Sequence, residues 1–447
     1  MKKIQLSLLL LTILSLSASL FAGGFALSGV GSRATSMGGA FRGLADDATA
    51  MYWNPAGLAN LEENQIDLGG TFIMPSSTWN SAGTQYTLIP GFGSKEYEAE
   101  KKLRPFPNLF VTMAKHPRLK YGLGVFVPYG LGTTWDLYKL PSNKTYLPGF
   151  PEKEFKSSIS VIDIHPSVSY QLLPSLSAGL GLSVFQAKIE LAKMSFSPKT
   201  DIYKPVSSIL DGSGLGLGAN LGFIFKPTSN ISLGLSGKIP AKVSMEGEAE
   251  IYKWIPEVAA TDTTAAIDAV KYGGQVDIDT DLNLPADIGL GISYKVMPNW
   301  TVNLDYSYTM WSSMDSIFVK MKTPVPVLDV KSSTLYFNWK DTYRVSLGTE
   351  YTMCSNTFRA GAYFDQSTIP GQTQTPTLSD VGNKYSVNLG YGRVFGKLSL
   401  DVNAQYVIFS EREVTSLHED YQGFPTNIAG VYNSNSISGN IGLGYRF

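Results

Sequence analysis

The 447-residue chain has one cysteine, three histidines and only 16% charged residues. Cys354 has no partner for an internal disulfide, so a disulfide-stapled secreted scaffold is excluded. His116, His165 and His418 are scattered without metal-ligand spacing, so neither a metal nor another cofactor is expected. Beyond the N-terminal leader no apolar run is long enough for a transmembrane helix, which needs roughly eighteen residues or more. The net charge is −1. Without the clustered Lys and Arg that phosphates attract, no nucleic-acid partner is expected.

What is present is apolar and aromatic: 43% hydrophobic residues and 12% aromatics, with 24 Tyr. Such a ring content suits belts at a membrane–water interface. Residues 1–22 read as a secretory signal. Lys2 and Lys3 form its positive start, Leu6 to Leu16 its apolar core, and Ala22 or Gly23 a small cleavage residue.

From there on, period-two alternation dominates. Leu398, Leu400, Val402, Ala404, Tyr406 and Ile408 share one face, opposed by Lys397, Ser399, Asp401, Asn403 and Gln405. The same division recurs at Trp300–Tyr308, Asp287–Tyr294 and Tyr343–Tyr351. Charges repeated on the second face would be costly in a packed core and are natural in a wet lumen.

About fourteen strands are expected, near 64–74, 107–115, 119–128, 156–172, 175–190, 214–226, 230–239, 284–296, 299–311, 339–352, 356–366, 383–395, 397–409 and 436–447. Short links such as Leu173-Pro174, Met297-Pro298 and Gly396 alternate with long ones, the longest near 240–283. A soluble sandwich has no reason to sort its loops by end. A membrane barrel does, with short periplasmic turns and long outer loops. The expected fold is therefore all-β, a transmembrane antiparallel barrel over 63–447, with both termini periplasmic. Residues 23–62 are rich in Gly, Ala and Ser, too small-featured to build a core of their own, yet carry apolar anchors. They are expected as a luminal hatch that borrows its burial from the barrel.

Several motifs resemble the FadL/TodX family of outer-membrane transporters for long-chain fatty acids and aromatic hydrocarbons. They are Gly24-Phe25-Ala26-Leu27, Met37-Gly38-Gly39-Ala40, Ala45-Asp46-Asp47-Ala48, Asn54-Pro55-Ala56-Gly57-Leu58, Val127-Pro128-Tyr129-Gly130-Leu131, Ile164-His165-Pro166, Leu284-Pro285-Ala286-Asp287 and Arg359-Ala360-Gly361-Ala362. They run in family order along nearly the whole mature chain. The resemblance implies passive uptake without enzymatic activity: capture of a hydrophobic small molecule in an outer groove, binding near the hatch, and sideways exit through the wall into outer-membrane lipid. Phe25 and Leu27 are then candidate pocket residues. Asp46, Asp47, Asn54, Pro55 and Ala56 are candidates for hatch positioning, the two Asp bonding hatch backbone or pairing with luminal Arg.

Pro256 to Tyr272 has helical character, and Trp254, Ile255 and Val258 are candidates for the outer groove, with Phe196 among those opposite. Gly122, Gly124 and Pro128 mark a strand prone to weak pairing and are candidates for the lateral exit. Asp277, Asp279, Asp281 and Asn283 lack the Gly and Glu of a calcium loop and read as the polar face of a strand. Phe447 closes an alternating strand and resembles the C-terminal signal read by the barrel-assembly machinery. A different class, a surface adhesin or receptor working through the long loops, remains as the alternative. A hydrolase lacks a plausible Ser–His–Asp arrangement.

Overall fold

The computed structural model describes residues 24–81, 96–136, 150–151, 155–195, 206–255, 257, 268–328, 330–378, 380–418 and 426–447. The expected signal segment 1–22 and the candidates Phe196 and Val258 lie outside them. The described strands are β1 (Gln65–Asn80), β2 (Glu96–Glu98), β3 (Arg104–Met113), β4 (Leu119–Trp135), β5 (Phe155–Leu173), β6 (Leu176–Ser195) and β7 (Val206–Thr228). Then come β8 (Ile231–Lys238), β9 (Ala241–Ile255), β10 (Val270–Leu284), β11 (Asp287–Met297), β12 (Trp300–Thr309), β13 (Ser316–Met321) and β14 (Ser332–Tyr336). The last are β15 (Thr342–Met353), β16 (Asn356–Asp365), β17 (Lys384–Phe395), β18 (Leu398–Phe409), β19 (Arg412–Val414) and β20 (Gly430–Arg446).

Fourteen of them close a ring in which every neighbouring pair is antiparallel. It runs β1, β3 to β8, β11, β12, β15 to β18 and β20, and β20 pairs back with β1. These are the fourteen strands that alternation predicts. Several are longer at the outer end than expected, β7 above all.

The long link 240–283 is mostly not a loop. β9 and β10 pair from Val270↔Ile255 to Leu284↔Ala241 and prolong the β8–β11 hairpin outward. The expected helix over 256–272 is overturned at its end, because Val270–Tyr272 are strand; residues 256 and 258–267 lie outside the described residues. The cause is visible in β9, where buried Val243, Met245, Ala249 and Ile251 alternate with Lys242, Ser244, Glu246 and Glu248. Asp277, Asp279 and Asp281 belong to β10 as an exposed or half-exposed polar face, with Lys242 2.6 Å from Asp281 and Lys322 3.2 Å from Asp279.

The barrel is apolar outside and polar inside. On β18, Tyr406 and Ile408 are 44% and 49% exposed while Asn403 and Gln405 are 7% and 4% exposed. That inversion is the signature of a wall whose outer solvent is lipid. In lipid a strand must have both edges bonded, which is why the sheet closes on itself.

Residues 24–61 fill the lumen. They form two short helices, α1 (Ser32–Ser36) and α2 (Ala50–Trp53), and a 3₁₀ turn at Pro55–Asn60. Phe25, Met37, Phe41, Met51 and Leu58 are at most 1% exposed. Gly31, at φ 87°, leads into α1. Wall glycines let the segment come this close. A Cβ on Gly361 would stand 2.2 Å from the Met37 carbonyl carbon, and one on Gly179 would stand 2.2 Å from that of Pro55.

Gly179→Val should therefore unseat the 3₁₀ turn, destabilising the protein by about 1–3 kcal/mol, the usual range for overpacking. Denaturation in detergent would read the loss, and raised permeability to small solutes would show that the plug had moved. Unchanged values on both would contradict the close approach.

Candidate functional site

The plug is tied to the wall by charge. Arg33 on α1 donates from Nε and Nη2 to Glu350 on β15 at 2.8 and 2.9 Å, and from Nη1 to Asp46 at 2.7 Å. Arg359 on β16 completes the chain, donating to Glu350 and to Asp401 on β18 at 2.5 Å each. A second anchor is Arg42, 2.6 Å from Asp287 on β11. The Phe41 and Arg42 backbone N–H groups donate to Asp305 on β12 at 3.0 and 2.8 Å. Asp47 accepts from the Thr49 N–H at 2.8 Å, and burial pushes its carboxyl up, against the pull of Arg33. So Asp46 and Asp47 pair with an arginine of the plug itself.

Asn54 is fully buried and works as a bolt. Its Oδ1 accepts from the Ala56 N–H at 3.2 Å, capping the turn that Pro55 begins. Its Nδ2 donates to the Arg42 carbonyl at 3.0 Å and to the Phe223 carbonyl of β7 at 3.1 Å.

One seam in the wall is incomplete. β3 pairs with β1 over nine positions, Arg104 to Thr112, but with β4 over five only, Leu109 to Met113. β4 runs on to Trp135 paired with β5, across a bulge between Phe126 and Tyr129. Backbone donors alternate between the two edges of a strand. With even-numbered residues bonding β1, the donors of 105 and 107 would face β4, and both positions are proline. The edge opposite Phe126–Trp135 therefore cannot donate at those two sites. The sequence reading missed this pair by starting the strand at 107. Two prolines spaced by two, Arg104-Pro105-Phe106-Pro107, were the available signal. Gly122 and Gly124 lie where β4 is bonded on both sides, and Pro128 lies in the bulge at the edge of the seam.

The N-terminal segment takes the vacant place. Leu27 N–H donates to the Pro128 carbonyl at 3.1 Å, Gly130 N–H donates to the Phe25 carbonyl at 2.9 Å, and Ala26 pairs with Tyr129. Phe25 then turns its ring into an aromatic cage of Tyr129, Trp311 and Trp339, with centroids 5.5, 5.1 and 5.6 Å away.

Two cavities flank this latch. One, of about 20 Å³, has apolar walls that include Phe126, Tyr129, Phe185 and Leu284, and a polar end with Lys238, Asp163, His165, Ser183 and Asn220. The Lys238 ammonium sits 3.6 Å above the Tyr52 ring. The other, of about 110 Å³, lies beside the latch, touching Leu27, Arg104, Phe106 and Gly132 on one side and Gln405 of β18 and Ser438 of β20 on the other.

Asp163, His165 and Ser183 do meet, but not as a catalytic relay. Asp163 at 3.2 Å and Ser183 at 2.9 Å share the same Nδ1 of His165, while Nε2 faces Asn220 at 3.2 Å. A relay needs the acid and the nucleophile on opposite ring nitrogens. Trp254 is buried at the outer end of β9, donating to Ser207 at 2.7 Å and stacking edge-on to Phe150, and half-buried Ile255 follows it. The structure brings Phe25 and Leu27 together and places Trp254 and Ile255 apart from them, in the outer extension.

Residues 13–447 match the family model described as outer membrane protein transport protein (OMPP1/FadL/TodX). The long-chain fatty acid transport protein of Salmonella typhi is 24% identical over 400 residues, covering 86% of each chain. Among solved structures, a Pseudomonas aeruginosa FadL homologue superposes with a TM-score of 0.76 at 16% identity, over 95% of this chain and 100% of that one. The Pseudomonas putida toluene transporter TodX gives a TM-score of 0.68 at 18% identity, over 96% and 99%.

Because Glu350 bridges two arginines, Glu350→Ala should cost about 3 kcal/mol, the scale for breaking a buried ion pair from one side. Arg33→Ala in the same chain should recover part of that loss. Unfolding curves of the single and double variants in detergent would check it, and simple additivity would contradict a coupled network.

Proposed function

We propose, since the chain belongs to the outer membrane protein transport family (OMPP1/FadL/TodX), that it takes up hydrophobic small molecules passively, long-chain fatty acids foremost. The observation that carries this reading is the seam closed by the N-terminal latch, with an apolar-walled cavity on its inner side. An apolar molecule gains little from a water-filled pore, whereas each methylene buried along a greasy path is worth about 0.8 kcal/mol. Cargo enters from the outer loops, where Trp254 and Ile255 are the described candidates for first capture. It settles beside Phe25 and Leu27, and leaves sideways between β3 and β4 once the latch lets go of Pro128 and Gly130. Asp46, Asn54, Pro55 and Ala56 hold the plug in register while the latch moves. The polar end at Lys238 favours a carboxylate with an alkyl tail. The aromatic cage around Phe25 favours the second reading, an aromatic hydrocarbon. Phe447, whose N–H donates to the Asn64 carbonyl at 2.9 Å at the barrel's closing edge, is the proposed contact for the assembly machinery.

Ligand binding by the purified protein tests the cargo, with long-chain fatty acids and monoaromatic hydrocarbons as the panel. Saturable binding of one class, weakened about tenfold by Phe25→Ala, is expected, since that truncation removes over 1.4 kcal/mol of contact. Binding of neither class by an intact barrel would sink the reading and favour a loop-based adhesin.

The latch is tested by a crosslink. Ala26→Cys with Tyr129→Cys, in a Cys354→Ser background, joins residues that face each other across a β-bridge, a geometry a disulfide accepts. Oxidation should abolish uptake and reduction restore it. Uptake unaffected by the closed crosslink would rule out exit past the latch.

A further inference from the structure

The seam holds a cation with which no described residue of the wall forms an ion pair. Arg104 is the outermost residue of β3, opposite Ile73 of β1, and its side chain crosses the gap to β4. A Cβ on Gly132 would fall 2.1 Å from its guanidinium carbon, so glycine at that position makes the room it occupies. Its Nε is buried with no hydrogen-bond partner, and among the described residues no carboxylate forms an ion pair with it. Glu100 acts on it only at a distance. The other charges lining the same cavity are Asp365, Asp380 and Lys384, and Lys384 stands 3.4 Å from Asp380. Among the described residues, that leaves Arg104 as the cation available to an anion entering the cavity, and the remaining carboxylate, Asp365, repels such an anion toward it. A partly buried guanidinium without an anion is costly.

Height adds a second argument. Arg104 opposes Ile73, next in sequence to Met74, which is 44% exposed on the lipid face beside Ile437 of β20. The guanidinium thus lies near the outer margin of the apolar belt, while the cavity below it is bounded by Leu27 and Phe106. A molecule with an anionic head and an alkyl tail meets both demands there, its head at the interface and its tail toward hydrocarbon.

We propose that Arg104 receives the carboxylate of the cargo as it passes from the lumen into the seam, and so makes the exit step selective for fatty acids over uncharged chains of the same length. This rests on the fatty-acid reading above. A guanidinium suits the role because it offers a carboxylate two parallel donors and keeps its charge at any ordinary pH.

The test compares initial uptake of oleate and of oleyl alcohol into vesicles reconstituted with the full-length protein. Arg104→Gln should slow oleate about tenfold, the effect of losing one charge-assisted hydrogen bond, and leave oleyl alcohol within about twofold. Equilibrium binding of oleate at the inner cavity should stay unchanged, and Arg104→Lys should restore part of the oleate rate. Equal slowing of both compounds, as expected if Arg104 instead holds a lipid phosphate or merely props the wall, would overturn the proposal, and so would no slowing of either. If the wild-type protein carries neither compound, the cargo reading itself falls and this inference with it.

Discussion

Backbone hydrogen bonding in lipid governs this structure. A strand at membrane depth must find a partner on both edges, because no water is there to take its place. The fourteen-strand ring meets that demand nearly everywhere by closing on itself. Where Pro105 and Pro107 remove two donors from β3, the ring alone cannot meet it. The chain then brings its own N-terminus, and Phe25 and Leu27 bond the edge of β4 that β3 leaves bare. A requirement of the wall thus fixes the position of a segment that belongs to the lumen.

The rest of the plug follows from being anchored at that end. A segment built of Gly, Ala and Ser can enter a lumen only a few side chains wide, and glycines on the facing strands let it lie against their backbone. Small residues bury little apolar area, so the few large anchors such as Phe41, Met51 and Leu58 are joined by Arg33, Arg42 and Asn54, each bonded at once within the plug and to the wall. Such pairs are sharply directional. They fix register more than they add stability, which suits a plug whose place must be definite while its N-terminal residues stay free to move.

The membrane-spanning part of the fold was legible because lipid imposes a strict period of two: one face must be apolar and the other need not be. Above the belt that constraint relaxes, and the pattern in β9 and β10 merges with what a loop or a helix could show. Pro256 to Tyr272 has helical character in sequence, yet Val270 begins a strand. Much of the site was harder to read. Phe25 and Asn54 could be singled out from local motifs, but the seam depends on a register between β1, β3 and β4 that no single stretch encodes. The clustering of Asp163, His165 and Ser183 depends likewise on the pairing of β5 with β6. Loop sorting gave the topology; only the closed ladder shows where it fails.

One consequence concerns coupling. Phe25 both completes the wall and occupies the pocket, since its carbonyl accepts from the Gly130 N–H while its ring fills the cage of Tyr129, Trp311 and Trp339. In the proposed reading, cargo that packs against the ring and shifts it draws the carbonyl away from β4, so binding and opening are one event. The latch hydrogen bonds are worth about 1 kcal/mol each net of solvation, and the buried ring somewhat more. An alkyl chain that buries several methylenes, at about 0.8 kcal/mol each, is enough to displace them. A short polar solute is not. Selectivity for apolar molecules then needs no discriminating pocket of fixed shape: the threshold is set by what it takes to lift the latch, and a ligand can shift that equilibrium only by its preference for the open state.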